Sequence, residues 1–279
     1  MSSMLKLLAT TLLLSSVLGA NQNAKIEKFL KESFSNNPAL ISIEVKVVER
    51  IPVESMKGWD AVIVSADGVV KAKGKEKTRK VKQKMIWFTN GKVVTKELTD
   101  MDTKQSLRDS INPTLKSHHY KKENLVYGNA NAKHKVAIFS DPLCPFCSTF
   151  VPAAINYMKK YPNKFAVYYY HFPLPSLHPA AIELAQAAIA AELKGRKNVV
   201  LDMYKVEINP KERDVKKILA AFNKTMKTNI TQYDISAPEV VNHFKSDLDI
   251  ADDVMVQGTP TMFFDGEIDK TKRKYQKVK

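Results

Sequence analysis

The sequence predicts an α/β domain interrupted by a block of helices and preceded by a small α+β domain. Three patterns carry this expectation. Apolar runs at Val136–Phe139 and Phe165–His171 flank the stretch Cys144–Lys160, whose Phe150, Val151, Ala154, Ile155 and Met158 recur at helical spacing. Strand, helix and strand in that order imply a right-handed crossover between two parallel strands. Helical patterns then occupy Pro179–Leu193, Asn198–Val206, Glu212–Met226 and Pro238–Val256, before the chain returns to strand at Thr261–Phe264. The N-terminal third holds strand-like runs punctuated by turn signals.

Taken in order, residues 1–20 read as a secretory signal. Lys6 supplies a weak positive start, Leu5–Val17 a short apolar run, and Val17-Leu18-Gly19-Ala20 small residues for cleavage near 19 or 20. The run is shorter than the roughly 20 apolar residues of a membrane span. A core helix is the alternative, but the polar Asn21-Gln22-Asn23 that follows favours export. Ala24–Phe34 has Ile26, Phe29, Leu30 and Phe34 at helical spacing, and Asn36-Asn37-Pro38 ends that helix. Strands are expected at Leu40–Ile51, Trp59–Ser65, Met85–Phe88 and Val93–Leu98, with hairpin turns at Asp67-Gly68 and Asn90-Gly91. Residues 21–101 thus form the first domain and 102–124 a partly helical linker. The second domain takes 125–279, with the helical insertion at about 177–256, an Asp265-Gly266 turn and a basic tail.

The chain has two cysteines among 279 residues, Cys144 and Cys147. A bridge over two intervening residues restrains little of the unfolded chain, which argues against a structural clip. Neither a second CxxC nor a His-x3-His is present to complete a closed zinc site, so no metal and no cofactor is expected. Pro145 suits the first turn of a helix, because its missing N–H would be unpaired there anyway. Cys144 then stands at the helix N-terminus, where free N–H groups and the macrodipole favour an anion, and the thiolate is the reactive form. Cys147 falls one turn later on the same face, tucked behind a more exposed Cys144. Two thiols so placed are the minimum equipment for disulfide exchange.

The formal net charge is +15, which suits acidic partners or an anionic membrane surface. The densest run, Lys71 to Lys84, has no interleaved aromatics, which speaks for a solvated face and against nucleic acid.

Val136 to Cys147, taken with Gly258-Thr259-Pro260-Thr261 and the strand after it, resembles the thioredoxin superfamily in its periplasmic Dsb branch. The resemblance implies a thioredoxin-like fold with a cis Pro260 facing the CxxC, and substrate contacts from Thr259, Pro260, Pro145 and Phe146. It also implies that Cys144 and Cys147 form the redox disulfide. Thioredoxin's buried acid would fall at Ile138, which leaves Asp141 as the nearest carboxylate for a proton relay. His171 and His178 are read as packing or capping residues. The helical block resembles DsbA-type members, whereas the N-terminal domain, its hairpins and Glu123–Tyr127 resemble the dimeric isomerases DsbC and DsbG.

The expected function is therefore a periplasmic homodimer that exchanges and isomerises disulfides, held together by residues 21–101. Its expected partners are unfolded or misoxidised exported proteins and a membrane redox partner. A net oxidase that donates its disulfide is the alternative within the class. A thiol-independent holdase chaperone is the alternative outside it.

Overall fold

The computed structural model describes residues 21–71, 78–161 and 163–278. The leader-like residues 1–20 and the centre of the basic run, 72–77, lie outside the described residues. The chain divides into two compact units that meet between Ile111 and Asn112.

In the first unit residues 21–35 form helix α1. Ile26 and Leu30, four apart on one face, enter a core with Val45, Val62, Val64 and Trp87, and Phe34 packs its ring 6.2 Å from that of Trp87. Strands β1 (Leu40–Pro52), β2 (Asp60–Lys71), β3 (Thr78–Thr89) and β4 (Val94–Thr95) make an antiparallel sheet in that order. The register of β1 on β2 shifts between Val47 and Glu49, and there the Val47 amide donates to Glu27 of α1 at 2.8 Å.

Two expectations for this sheet are corrected. Asp67-Gly68 is no turn; both residues lie inside β2, where Gly68 pairs with Ile43 on one side and Val81 on the other. A Cβ on Gly68 would stand 2.9 Å from the Ser42 carbonyl oxygen, so the glycine answers a close backbone approach. Asn90-Gly91 does turn the chain, with Gly91 at φ +84° and the Asn90 side chain accepting from the Lys92 and Val93 amides. The strand after it stops at Thr95, short of the expected Leu98. Beyond its end the Arg108 guanidinium donates to the carbonyls of Lys96 and Ile86 at 2.6 and 2.9 Å.

The second unit is a five-stranded sheet in the order β5 (Leu125–Gly128), β7 (Phe165–His171), β6 (His134–Ser140), β8 (Thr261–Phe264), β9 (Glu267–Ile268). β6 runs parallel to β7, with Ile138 opposite Tyr169, and antiparallel to β8, with Ile138 opposite Met262. The continuous apolar character of β6 follows from burial on both faces. Val136 and Ile138 join the core that includes Val151, Ile155 and Met158 of α2 (Pro145–Met158). Ala137 and Phe139 face Ile250, Ala251 and Val254 on the other side.

The insertion runs from α3 (Ala181–Leu193) through α4 (Val199–Asp202), α5 (Val215–Met226) and α6 (Gln232–Ile235) to α7 (Pro238–Asp253). α3 contacts each of the other four. Six of its buried residues are alanines, small enough to admit several neighbours at once. Gly195 closes α3 at φ +85° while the Arg196 amide reaches back to the Ala191 carbonyl.

The basic tail is ordered. Its residues Lys274–Lys277 make a 3-10 turn, and Tyr275 is buried with its ring 5.4 Å from Tyr157 of α2. The buried Asp269 carboxylate accepts from the Thr271 and Lys274 amides and fastens this turn.

Candidate active site

β6 ends at Ser140, and the tight turn Asp141-Pro142-Leu143 leads into α2. The Asp141 carboxylate is fully buried and holds that turn, accepting from the Leu143 amide at 2.7 Å, the Leu174 amide at 2.7 Å and His178 Nδ1 at 2.9 Å. It is thus committed to shaping the loop, and His178 is its partner. His171 is buried too, and desolvation pushes it down to about 3, so it is neutral at working pH.

Cys144 is the N-cap of α2, in extended backbone at φ −74° and ψ 122°, and its carbonyl accepts from the Ser148 amide at 3.0 Å. Pro145 follows at N1. Both cysteines are free thiols. Cys144 is 6% exposed, less than its expected role as the outer thiol suggests, and Cys147 is fully buried. Part of the cover comes from Thr259, whose carbonyl oxygen accepts from Cys144 Sγ at 3.7 Å. The Thr259–Pro260 peptide bond is cis.

Burial pushes the Cys147 thiol up to about 11, against the Ser140 and Thr259 hydroxyls and the Asp141 amide, which favour its thiolate. The Thr259 hydroxyl is itself buried, with no nitrogen or oxygen partner of its own. Thr259 therefore meets the two sulfurs differently, with its carbonyl at Cys144 and its hydroxyl towards Cys147.

Phe146 is 77% exposed and lines a groove of about 720 Å³ together with Thr149, Phe150, Ala153, Thr259 and Pro260. Thr271, Lys272, Arg273, Tyr275 and Gln276 of the tail complete the lining. Thus Phe146, Thr259 and Pro260 share one surface, while Pro145 serves the helix start. The tail's share was hidden behind its lysines; Tyr275 and Val278 are the apolar signals near its end. Also unforeseen is a row of hydroxyls behind Cys147. Ser140 Oγ lies 2.7 Å from Tyr204 Oη, which lies 3.0 Å from Tyr169 Oη. Among the described residues no group of three or more His, Cys, Asp and Glu is placed to hold a metal ion.

A family model described as thioredoxin matches residues 120–279, more than half of the chain. A curated relative, the Na(+)/H(+) antiporter NhaA 1 of Mycolicibacterium gilvum (strain PYR-GCK), is 26% identical over 147 residues, 51% of this chain and 23% of the relative. The chain thus spans about a quarter of that relative's length. Among the described residues no helix is long and apolar enough to cross a membrane. Oxidised BdbD from Bacillus subtilis is similar at 15% identity, covering 60% of this chain and 93% of that one, with a TM-score of 0.47. The catalytic domain of Proteus mirabilis ScsC gives 20% identity, 57% and 93% coverage and a TM-score of 0.42. A thioredoxin-like oxidoreductase from Silicibacter pomeroyi DSS-3 gives 21%, 54% and 84%, and 0.44.

Proposed function

The chain belongs to the thioredoxin family, and from that membership we propose that it is an exported thiol–disulfide oxidoreductase that reshuffles disulfides in other exported proteins. One observation carries the reading: a cysteine caps α2 beside the residue that precedes a cis proline, with a second cysteine buried one turn behind it. Cys144 as thiolate attacks a client disulfide, forming a mixed disulfide and expelling a client thiolate. That thiolate can attack another client disulfide, and the thiolate freed there then attacks the client sulfur of the mixed disulfide, which leaves the client rearranged and returns Cys144 as thiolate. Alternatively Cys147 attacks Cys144 Sγ, closing the Cys144–Cys147 disulfide and releasing the client reduced. A membrane redox partner must then return two electrons to the pair. Thr259 and Pro260, with Phe146 across the groove, hold the client strand during the exchange. The threonine before the proline favours isomerisation over net oxidation, since in the Dsb branch that position is often Thr in isomerases and Val in oxidases. Periplasmic placement and a dimer joined through the first unit complete the proposal.

Refolding of a scrambled multi-disulfide protein, run beside oxidation of the same protein fully reduced, tests it. Wild type should restore activity to the scrambled client. Cys147→Ser should accumulate mixed disulfides, and Cys144→Ser should do neither. Oxidation without reshuffling would leave the oxidase reading standing. Protection from aggregation that survives loss of both cysteines, with no thiol activity in wild type, would make the chain a holdase.

A further inference from the structure

The release step asks a fully buried thiol, held up at about 11, to give up its proton. The Asp141 carboxylate accepts from Leu143, Leu174 and His178. The groups acting on Cys147 are instead the Ser140 and Thr259 hydroxyls, the Asp141 amide and the neighbouring Cys144.

Ser140 is fully buried and its hydroxyl is the near end of a row that continues to Tyr204 at 2.7 Å and Tyr169 at 3.0 Å. The three come from separate elements: the last residue of β6, the 3-10 turn Met203–Lys205 of the insertion, and the adjacent strand β7. A hydroxyl both donates and accepts, so such a row can run in either direction. With Cys147 protonated, Ser140 is free to donate to Tyr204. Once the sulfur is charged, the row reverses: Tyr169 donates to Tyr204, Tyr204 to Ser140, and Ser140 to sulfur. Burial raises both tyrosines above their ordinary range, with the Cys147 charge adding to this, so each keeps its own proton and serves as a donor. Aligned donors in a dry interior reinforce one another.

We propose that Ser140, Tyr204 and Tyr169 form a reversible donor row that positions a hydrogen bond on the Cys147 thiolate and thereby sets the rate at which the enzyme frees itself from a client. The proposal rests on the reading of Cys147 as the resolving thiol. In the step concerned, the Cys147–Cys144 bond forms and the Cys144–client sulfur bond breaks. The client sulfur takes the electron pair, and the proton given up by Cys147 passes through solvent to the client thiolate. The row itself transfers no net proton; these are positioning residues.

The reduced full-length protein is mixed with an aromatic disulfide that releases coloured 5-thio-2-nitrobenzoate. The first equivalent reports attack by Cys144 and the second resolution by Cys147. In Ser140→Ala and Tyr204→Phe the second phase should slow about tenfold, the scale of one hydrogen bond to a charged group. The pH of half-maximal rate for that phase should rise by about one. The first phase should stay within twofold. A Cys144→Ser background, in which alkylation of Cys147 is followed against pH, gives the same upward shift without any exchange step. Tyr169→Phe, at the far end, should give a smaller effect in the same sense. Second-phase rates and pH profiles within twofold of wild type in both main variants would overturn the proposal. Were wild type to show no second phase at all, the exchange reading would fall first and this inference with it.

Discussion

His178 Nδ1 stands 2.9 Å from Asp141 Oδ2, and the carboxylate it meets is fully buried between β6 and α2. The same carboxylate satisfies the amides of Leu143, ahead of Cys144, and Leu174, after β7. One side chain thus fixes the entry to the catalytic helix and the loop beside it. Asp141→Ala orphans both amides and the imidazole, at roughly 1–3 kcal/mol for each buried group left unpaired. We expect a clear fall in thermal stability of the second unit and a slower reaction of Cys144. His178→Ala should cost less than half as much. Asp141→Ala stability within about 0.5 kcal/mol of wild type, the scale of an ordinary surface change, would contradict this account.

Gly128 and Gly195 have nearly the same backbone, at φ +83° and +85°, but different surroundings. A Cβ on Gly195 would meet nothing within 4 Å, whereas one on Gly128 would collide with the Phe165 carbonyl oxygen of the neighbouring strand. Gly195→Ala should therefore cost about 1–2 kcal/mol, the strain of a left-handed residue alone. Gly128→Ala should cost considerably more, because β5 must pull away from β7. Urea unfolding of the two variants should rank them in that order.

Asp247, buried on α7, accepts from the His171 amide at 2.8 Å and from Asn124 at 2.6 Å. Burial nevertheless pushes it up to about 8 from an ordinary 3.8, with Glu192 and Glu123 adding to the rise. His243 stands 3.7 Å from its Oδ1 and is itself held below the usual imidazole range by burial. A carboxyl raised on folding binds its proton more tightly in the native state, so stability falls as pH climbs from about 4 to 8 and levels off beyond. Asp247→Asn removes that dependence, although its amide cannot accept both hydrogen bonds. The advantage of wild type over the variant should be largest near pH 4 and shrink towards pH 8. An advantage that stays constant across that range would falsify burial as the cause.

Much of this architecture was legible because single residues carried local rules. β7 matches its apolar run, and α2 begins where Pro145 and the cysteines said it should. What escaped depends on partners distant in sequence. Asp67-Gly68 has the composition of a hairpin turn, yet the glycine is there for the Ser42 carbonyl on a neighbouring strand. Past the short β4, the carbonyls of Lys96 and Ile86 are met by the Arg108 guanidinium, a partner 12 and 22 residues away. Thr259 brings its carbonyl to Cys144 and its hydroxyl towards Cys147, a division that no spacing announces. Ser140, Tyr169 and Tyr204 could not be grouped from spacing, since two strands and the helical insertion bring them together.

The distribution of chromophores gives the two units separate optical voices. Both tryptophans, Trp59 and Trp87, belong to the first unit, and Trp87 is built into its core against Phe34. The second unit has all ten tyrosines and no tryptophan. Indole emission will therefore follow the melting of the first unit. Tyrosine absorbance and alkylation of Cys147 will follow the second, so one sample can show whether the halves unfold together or apart.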